Sequence, residues 1–271
     1  MDRILPIKSY KKYSRVKRIG AYTHRKCLYK YLSLSSFKKC LKNNTLMFQR
    51  PIKWKDPFEA RFYNANYGNI PNAKGVNKEF FACCFTKNTS CEAAWRMYSE
   101  NYKKDPCIQI CLAIGQVRNF LNRFAESHNA MVYEGNIRYD LADKEISTLH
   151  LTTNNYHDLY FEDFTLEKYL NLMLIKRQAF EYEGEIRYFI YGGKYQIQRS
   201  PIFIHIPWCR CMNNIKLPFD INLKQKKEID DILKANLSLC KQEDPNSYPQ
   251  MPKIIYNELY KPFEKITIES I

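Results

Sequence analysis

The chain has 271 residues and a formal net charge of +15, and 45% of it is hydrophobic and 15% aromatic. Such a composition supports a buried core and excludes wholesale disorder. Glycine is scarce, at 8 residues, and neither G-x-G-x-x-G nor a Walker A pattern occurs, which disfavours folds that cradle phosphates in Gly-rich loops.

Most of the charge sits at the amino terminus. Residues 1–60 hold 16 Lys or Arg against three acids (Asp2, Asp56 and Glu59), a net of +13. In KSYKKYSRVKR, Lys8, Lys11, Lys12, Arg15, Lys17 and Arg18 interleave with Tyr10 and Tyr13. On a helix, Lys11, Arg15 and Arg18 share one face. Two readings stand near evens. One is a nucleic-acid-binding surface whose bases track phosphates while tyrosines stack. The other is a solvated extension that aids solubility. An anionic membrane surface is a weaker third reading, for want of a clean apolar face.

Residues 1–25 are therefore set apart as a basic extension, and 26–271 are expected to form one α+β domain. KCLYKYLS (26–33) predicts a strand, and Leu34, Phe37 and Leu41 at i, i+3, i+7 predict a helix over 34–43. TLMFQR (45–50) predicts a short strand, WKDPFE (54–59) a turn around Asp56-Pro57, and 64–77 a polar loop. EFFACCFT (79–86) reads as a buried strand. Thr89 and Glu92 suggest a capping box for a helix to about 102. A strand follows at 106–113, an amphipathic helix through Val117, Phe120, Leu121 and Phe124, and a strand at 131–139. After an acidic irregular stretch (140–164), a helix is expected over 165–178, strands at 185–191 and 201–206, a helix through Ile229, Leu233, Leu237 and Cys240, and a last strand at 265–269.

No segment has the roughly 18 uncharged apolar residues of a membrane helix, and the amino terminus lacks a signal-like apolar run. A cytoplasmic protein with reduced cysteines is the expectation. Cys83, Cys84, Cys107 and Cys111 lie in apolar runs and read as small buried hydrophobes. No C-x-x-C pair occurs. His205, Cys209 and Cys211 are the nearest approach to a ligand set, without a fourth member, and no metal is expected.

The densest chemistry is in FEYEGEIRYFIY. Glu183, Glu185 and Arg187 recur with period two, which on a strand sets them on one face and Ile186, Tyr188 and Ile190 on the other. Such a row suits the wall of a cleft, where a carboxylate stabilises a cationic sugar or ligates a metal and Arg187 orients it. On spacing alone, a solvated salt-bridge ladder is the commoner use of this pattern.

In their order along the chain, LYKYL (28–32), WKDPFE (54–59), CFT (84–86), Trp95 with Tyr98, and Lys176 followed by FEYEGEIR resemble the bacterial family called domain of unknown function 2971. That resemblance implies an accessory, toxin or phage-defence role. LYKYLSLSSFKKCLKNNTLMF is also similar to the opening of the DNA-modifying ADP-ribosyltransferase toxins, implying mixed sheets flanked by helices and NAD as cofactor. By this similarity Glu185 is the catalytic carboxylate and Glu183 orients the acceptor. Lys30 takes the place of a His or Arg on the NAD ribose, with Tyr29 and Tyr31 beside it. Phe85 and Thr86 fall in the second motif. Trp95 and Tyr98 wall the nicotinamide, and Lys176 and Arg187 complete the site. Lys30 is a departure, since an ammonium does not reproduce a guanidinium fork. For Trp95 and Tyr98 an inward core stripe is the commoner role of the spacing.

Three functions remain in play. The first is an ADP-ribosyltransferase acting on nucleic acid or on a protein, with an antitoxin as a further partner. The second is a metal-dependent nuclease using Glu183, Glu185 and Lys176. The third is a non-catalytic nucleic-acid-binding or sensor subunit.

Overall fold

The computed structural model describes residues 8–10, 13–20, 25–54, 56, 57, 59, 80–99, 103–141, 163–192, 201–246, 249–259 and 261. They form a mixed α/β architecture around a central sheet with helices on its faces. Among them, no helix is long and apolar enough to cross a membrane. The expected loop at 64–77 and the strand at 265–269 fall outside the described residues, as do Lys11 and Lys12.

The described residues begin with a β-hairpin, β1 (Lys8–Tyr10) and β2 (Tyr13–Arg18), where a basic extension outside the domain was expected. The reason is Val16. On a basic helix it would be left in water, whereas in β2 it pairs with Val132 and is fully buried. β3 (Cys27–Ser33) leads into α1 (Leu34–Asn43). Ser33 caps this helix by accepting the Ser36 N–H, and Asn44 ends it in the left-handed region at φ 48°. Leu34, Phe37 and Leu41 are buried on one stripe, as their spacing predicts. β4 (Thr45–Phe48) and a 3-10 turn (Pro51–Lys53) follow.

β5 (Phe80–Thr86) is the buried strand its apolar run predicts. α2 is short, Glu92–Met97, and its N-cap is Cys91 without a side-chain bond, so the expected Thr89 capping box does not form. β6 (Cys107–Ala113), α3 (Ile114–Ser127), β7 (Ala130–Asn136) and β8 (Arg138–Leu141) come next. The helix expected over 165–178 ends early. α4 spans Leu166–Leu172, and the chain then forms β9 (Ile175–Arg177) and a 3-10 turn (Gln178–Glu183) before β10 (Glu185–Gly192). Pairing of β9 with β8 and burial of Leu174 and Ile175 outweigh helical propensity there. The remaining elements are β11 (Ile202–His205), α5 (Trp208–Cys211), β12 (Met212–Pro218), α6 (Leu223–Glu243) and β13 (Lys253–Asn257). β12 and β13 were not anticipated.

Nine strands make the central sheet in the order β1-β2-β7-β10-β5-β3-β6-β12-β13. β2 runs parallel to β7 and β12 parallel to β13, and the other pairings are antiparallel. The middle of the sheet is weakly joined. β10 and β5 share seven partner pairs, but β5 and β3 share one, Tyr29 with Thr86. The sheet thus has a seam between β5 and β3. One face packs on the main core with α1, α3, α5 and α6, through residues such as Phe37, Leu121, Ile186, Tyr188 and Leu233. The other face carries two smaller clusters. Phe80, Tyr133, Phe189 and α4 form one, and Tyr31, Trp95 and Cys107 the other. Glu185 lies on this second face, beside the seam.

Candidate active site

β10 begins at a fixed point. Gly184, at φ +49°, turns the chain out of the 3-10 turn, and a Cβ there would meet Asn88 and Lys87 below 3.0 Å, so a bare backbone is needed. Lys87 N–H donates to the Gly184 carbonyl (2.9 Å), and Thr86 Oγ1 donates to the Glu183 carbonyl (2.5 Å). The backbone of Glu185 is held on both sides. Its N–H donates to Tyr139 Oη of β8 (2.8 Å), and its carbonyl accepts from Ile137 N–H (3.0 Å). Across the sheet Glu185 pairs with Thr86, the same residue whose pairing with Tyr29 closes the seam.

Strand alternation then sets the side chains. Ile186, Tyr188 and Ile190 enter the main core, and Glu185 and Arg187 emerge on the opposite face. Both are buried. Arg187 Nε donates to Glu185 Oε1 (2.7 Å) and Nη2 to Glu185 Oε2 (3.0 Å), a two-pronged pair. Its Nη1 donates to the Met173 carbonyl at 2.7 Å, and Nη2 also binds Glu59. The Trp54 ring covers the guanidinium at 4.1 Å. Lys176, on β9, bonds Glu183 and sits 3.2 Å from Glu185 Oε2 and 3.8 Å from Glu59 Oε2. Arg177 pairs with Asp56 at 3.0 Å. Among the described residues, four carboxylates thus meet three cations at one end of β10.

Burial governs the protonation of this group. Burial raises the Glu185 carboxyl above its ordinary value of 4.5, against the opposing pull of Lys176 and of a hydrogen bond from the Cys84 thiol. The Cys84 thiol is itself pushed well above its usual range, by burial and then by the Glu185 charge. Burial alone would lower Lys176, but Glu185 and Glu183 more than offset it and hold the ammonium above its ordinary value. Burial draws Arg187 down to about 9, which leaves it charged at neutral pH. The site at rest is a charged network in which, among the described residues, acids outnumber bases.

No family model matches the chain, and no curated protein does. The domain of unknown function 2971 therefore gains no support from that comparison. Two solved structures of DarT from Thermus sp. 2.9 align with the chain at low similarity. One, in complex with ADP-ribosylated ssDNA, has 9% identity and a TM-score of 0.38 over 88% of this chain and 96% of that one. The other, in complex with NAD+, has 8% identity and a TM-score of 0.35 over 88% of this chain and 98% of that one.

The structure brings together some of the residues singled out in the sequence and separates others. Glu183, Glu185, Lys176 and Arg187 form one cluster, but Glu183 lies in the 3-10 turn and not on the strand. Lys30 reaches the seam from the other face. Its Nζ donates to the Cys84 carbonyl at 2.7 Å, lies 3.7 Å from Cys83 Sγ and sits over the Phe85 ring at 5.1 Å. Phe85 is buried in the main core, edge-on to Tyr188. Tyr29 and Tyr31 point to the face opposite Lys30. Tyr31 meets Trp95 edge-on at 5.5 Å and stacks on Tyr98 at 6.2 Å. Trp95 is fully buried, as a core stripe predicts, whereas Tyr98 is half exposed, and its hydroxyl lies within electrostatic reach of Lys30, Glu183 and Glu185. Thr86 is engaged by the backbone of the turn.

The basic set lies elsewhere. Arg15, Lys17 and Arg18 lie on β2, two strands from β10, with Lys17 opposite Tyr133 and Arg15 donating to Met131 Sδ at 3.8 Å. Lys8 is placed on β1. His205 pairs with Glu243 at 2.9 Å, while Cys209 and Cys211 are buried, so these three do not converge. Sequence reasoning missed Trp54, Glu59, Cys84 and Tyr139 as parts of the site. WKDPFE had drawn notice as a turn, as part of a family resemblance and, in a minority reading, for Asp56 as a capping residue near the site.

Proposed function

We propose that the chain is an NAD-dependent ADP-ribosyltransferase with Glu185 as its catalytic carboxylate and a nucleic acid as the acceptor. The observation that carries the reading is Glu185 itself: a buried carboxylate held from two sides by Arg187 and Lys176, beside a seam in the sheet. NAD, when bound, supplies the nicotinamide–ribose bond, whose cleavage leaves positive charge on the sugar. A fixed carboxylate with little water around it stabilises such charge far better than a solvated one, because it needs no reorganisation.

The other residues have supporting roles. Arg187 fixes the orientation of Glu185 through its two-pronged pair. Lys176 ties Glu185 to Glu183, which sits at the rim to orient the acceptor. Half-exposed Tyr98, stacked on Tyr31, supplies an aromatic wall for the nicotinamide. The Lys30 ammonium, at the seam, suits a diphosphate as a point charge. Arg15, Lys17 and Arg18 on β2 supply sequence-independent attraction to a phosphate backbone. The DarT complexes hold NAD+ and ADP-ribosylated ssDNA, but their similarity to this chain is too low to support the reading.

A nuclease fits less well, because Glu183 and Glu185 are already engaged by Lys176 and Arg187, and a divalent cation would have to displace them. A toxin or phage-defence role is in keeping with the activity and rests on the sequence resemblance alone. The test is incubation of the protein with NAD labelled in its adenylate part and, separately, single-stranded DNA, duplex DNA, RNA and total protein. Label on a nucleic acid, absent with Glu185→Gln, is the expected result. Label on protein alone would overturn the acceptor assignment, and no transfer with no nicotinamide release would overturn the reading.

A further inference from the structure

The Arg187 guanidinium is shared. It forms its two-pronged pair with Glu185, yet Nη2 also binds Glu59, a residue 128 positions earlier in the chain and as buried as Glu185. Nη1 is taken by the Met173 carbonyl and the flat face by Trp54. Trp54 and Glu59 therefore hold Arg187 from one short segment, and Glu59 also lies 3.8 Å from Lys176.

We infer that Glu59 is a positioning residue for Glu185: it fixes the Arg187 guanidinium and, by dividing that cation between two carboxylates, keeps Arg187 from fully compensating the Glu185 charge. This rests on the proposed reading only for its effect on catalysis. The physical argument is local. A carboxylate whose cation is shared is less fully compensated, so it takes up a proton more readily and, when ionised, acts more strongly on positive charge beside it. The groups facing Glu185 are Lys176 from β9, Glu183 from the 3-10 turn, Arg187 from its own strand, Cys84 from β5, Tyr139 from β8 and Tyr98 from α2. Of the acids, Glu183 reaches Glu185 through Lys176, whereas Glu59 reaches it through Arg187 as well. Removing Glu59 takes one carboxylate from Arg187 and leaves the guanidinium to Glu185, with Asp56 acting on it from farther off and the Met173 carbonyl still holding Nη1.

The experiment has two arms. In the first, the carboxyl carbons of Glu are labelled and the Glu185 signal, assigned with Glu185→Gln, is titrated by NMR in the full chain and in Glu59→Gln. The expected midpoint in Glu59→Gln is lower by about one pH unit, and Glu59→Asp, which keeps the charge, restores it to within about half a unit. An unchanged or higher midpoint overturns the inference, even if the variant is less stable. If the Gln variant does not fold, Glu59→Met fills the same volume without a charge and gives the same readout. In the second arm nicotinamide release is followed. Glu59→Gln is expected to lower kcat by about tenfold or more with KM for NAD within about threefold, and to move the acid limb of the pH–rate profile down with the NMR midpoint. A wild-type chain that releases no nicotinamide defeats the proposed function, and the NMR arm then decides the role of Glu59 by itself.

Discussion

On one face of the sheet, Arg118 of α3 meets Glu134 of β7 with Nε–Oε2 at 2.7 Å and Nη2–Oε1 at 2.6 Å. On the other face, Arg187 makes the same kind of two-pronged pair with Glu185. Both arginines and both glutamates are buried. The Arg118 pair ties a helix to a strand. The Arg187 pair is overlaid by Glu59, Lys176 and Glu183, stands beside a seam, and among the described residues carries more acids than bases. Buried ion pairs add little net stability over apolar substitutes, because desolvation offsets attraction. A surplus of buried negative charge costs more, and a site that stabilises positive charge is one that uses it.

The largest contrast is expected from the two arginines. Arg187→Met and Arg118→Met should each lower unfolding free energy by about 3–5 kcal/mol, since each takes a guanidinium from a buried carboxylate. Only the first should also abolish nicotinamide release. Adding Glu134→Leu to Arg118→Met should recover most of the lost stability and keep activity, as denaturant unfolding and a nicotinamide assay would show. Full activity in Arg187→Met would erase the distinction between the two pairs.

A smaller effect sharpens the account of charge. Burial raises the Glu185 carboxyl above 4.5, and the reaction needs the carboxylate. Nicotinamide release should therefore fall on acidification with a midpoint above that value, and an acid limb at or below it would contradict a buried Glu185. Next comes the seam. Lys30→Met should raise KM for NAD about tenfold with kcat within about threefold, the pattern of lost ground-state binding. A fall in kcat alone would place Lys30 in the chemistry. The smallest effect concerns the hairpin. Replacing Arg15, Lys17 and Arg18 with Gln should lower the salt dependence of single-strand binding by about two in log–log slope, from about 0.7 per phosphate contact.

The face of β10 was legible because a strand has period two: Glu185 and Arg187 had to part from Ile186, Tyr188 and Ile190, and they do. α1 was legible because Leu34, Phe37 and Leu41 fit one helical stripe. Lys176 was placed at a helix end, since LNLMLIK carries no breaker. The chain leaves the helix there because β9 pairs with β8, a contact that no local pattern announces. Glu59 could not be read at all as a partner of Arg187, because the pairing joins positions 128 apart. The same holds for the Tyr139 hydroxyl beneath Glu185. The hairpin went unread, and 1–25 was set apart as a basic extension, because six bases in eleven residues hid the aliphatic side chain, Val16, that decides its burial.

The most direct measurement is nicotinamide release from NAD by the wild-type chain, Glu185→Gln and Arg118→Met in parallel, with the melting midpoint of each. Loss of release by about 10²–10³-fold in Glu185→Gln with little change in its melting midpoint, and release retained in Arg118→Met, is the predicted result. Release that survives in Glu185→Gln, or that falls in proportion to stability in both variants, would contradict a catalytic carboxylate at the start of β10.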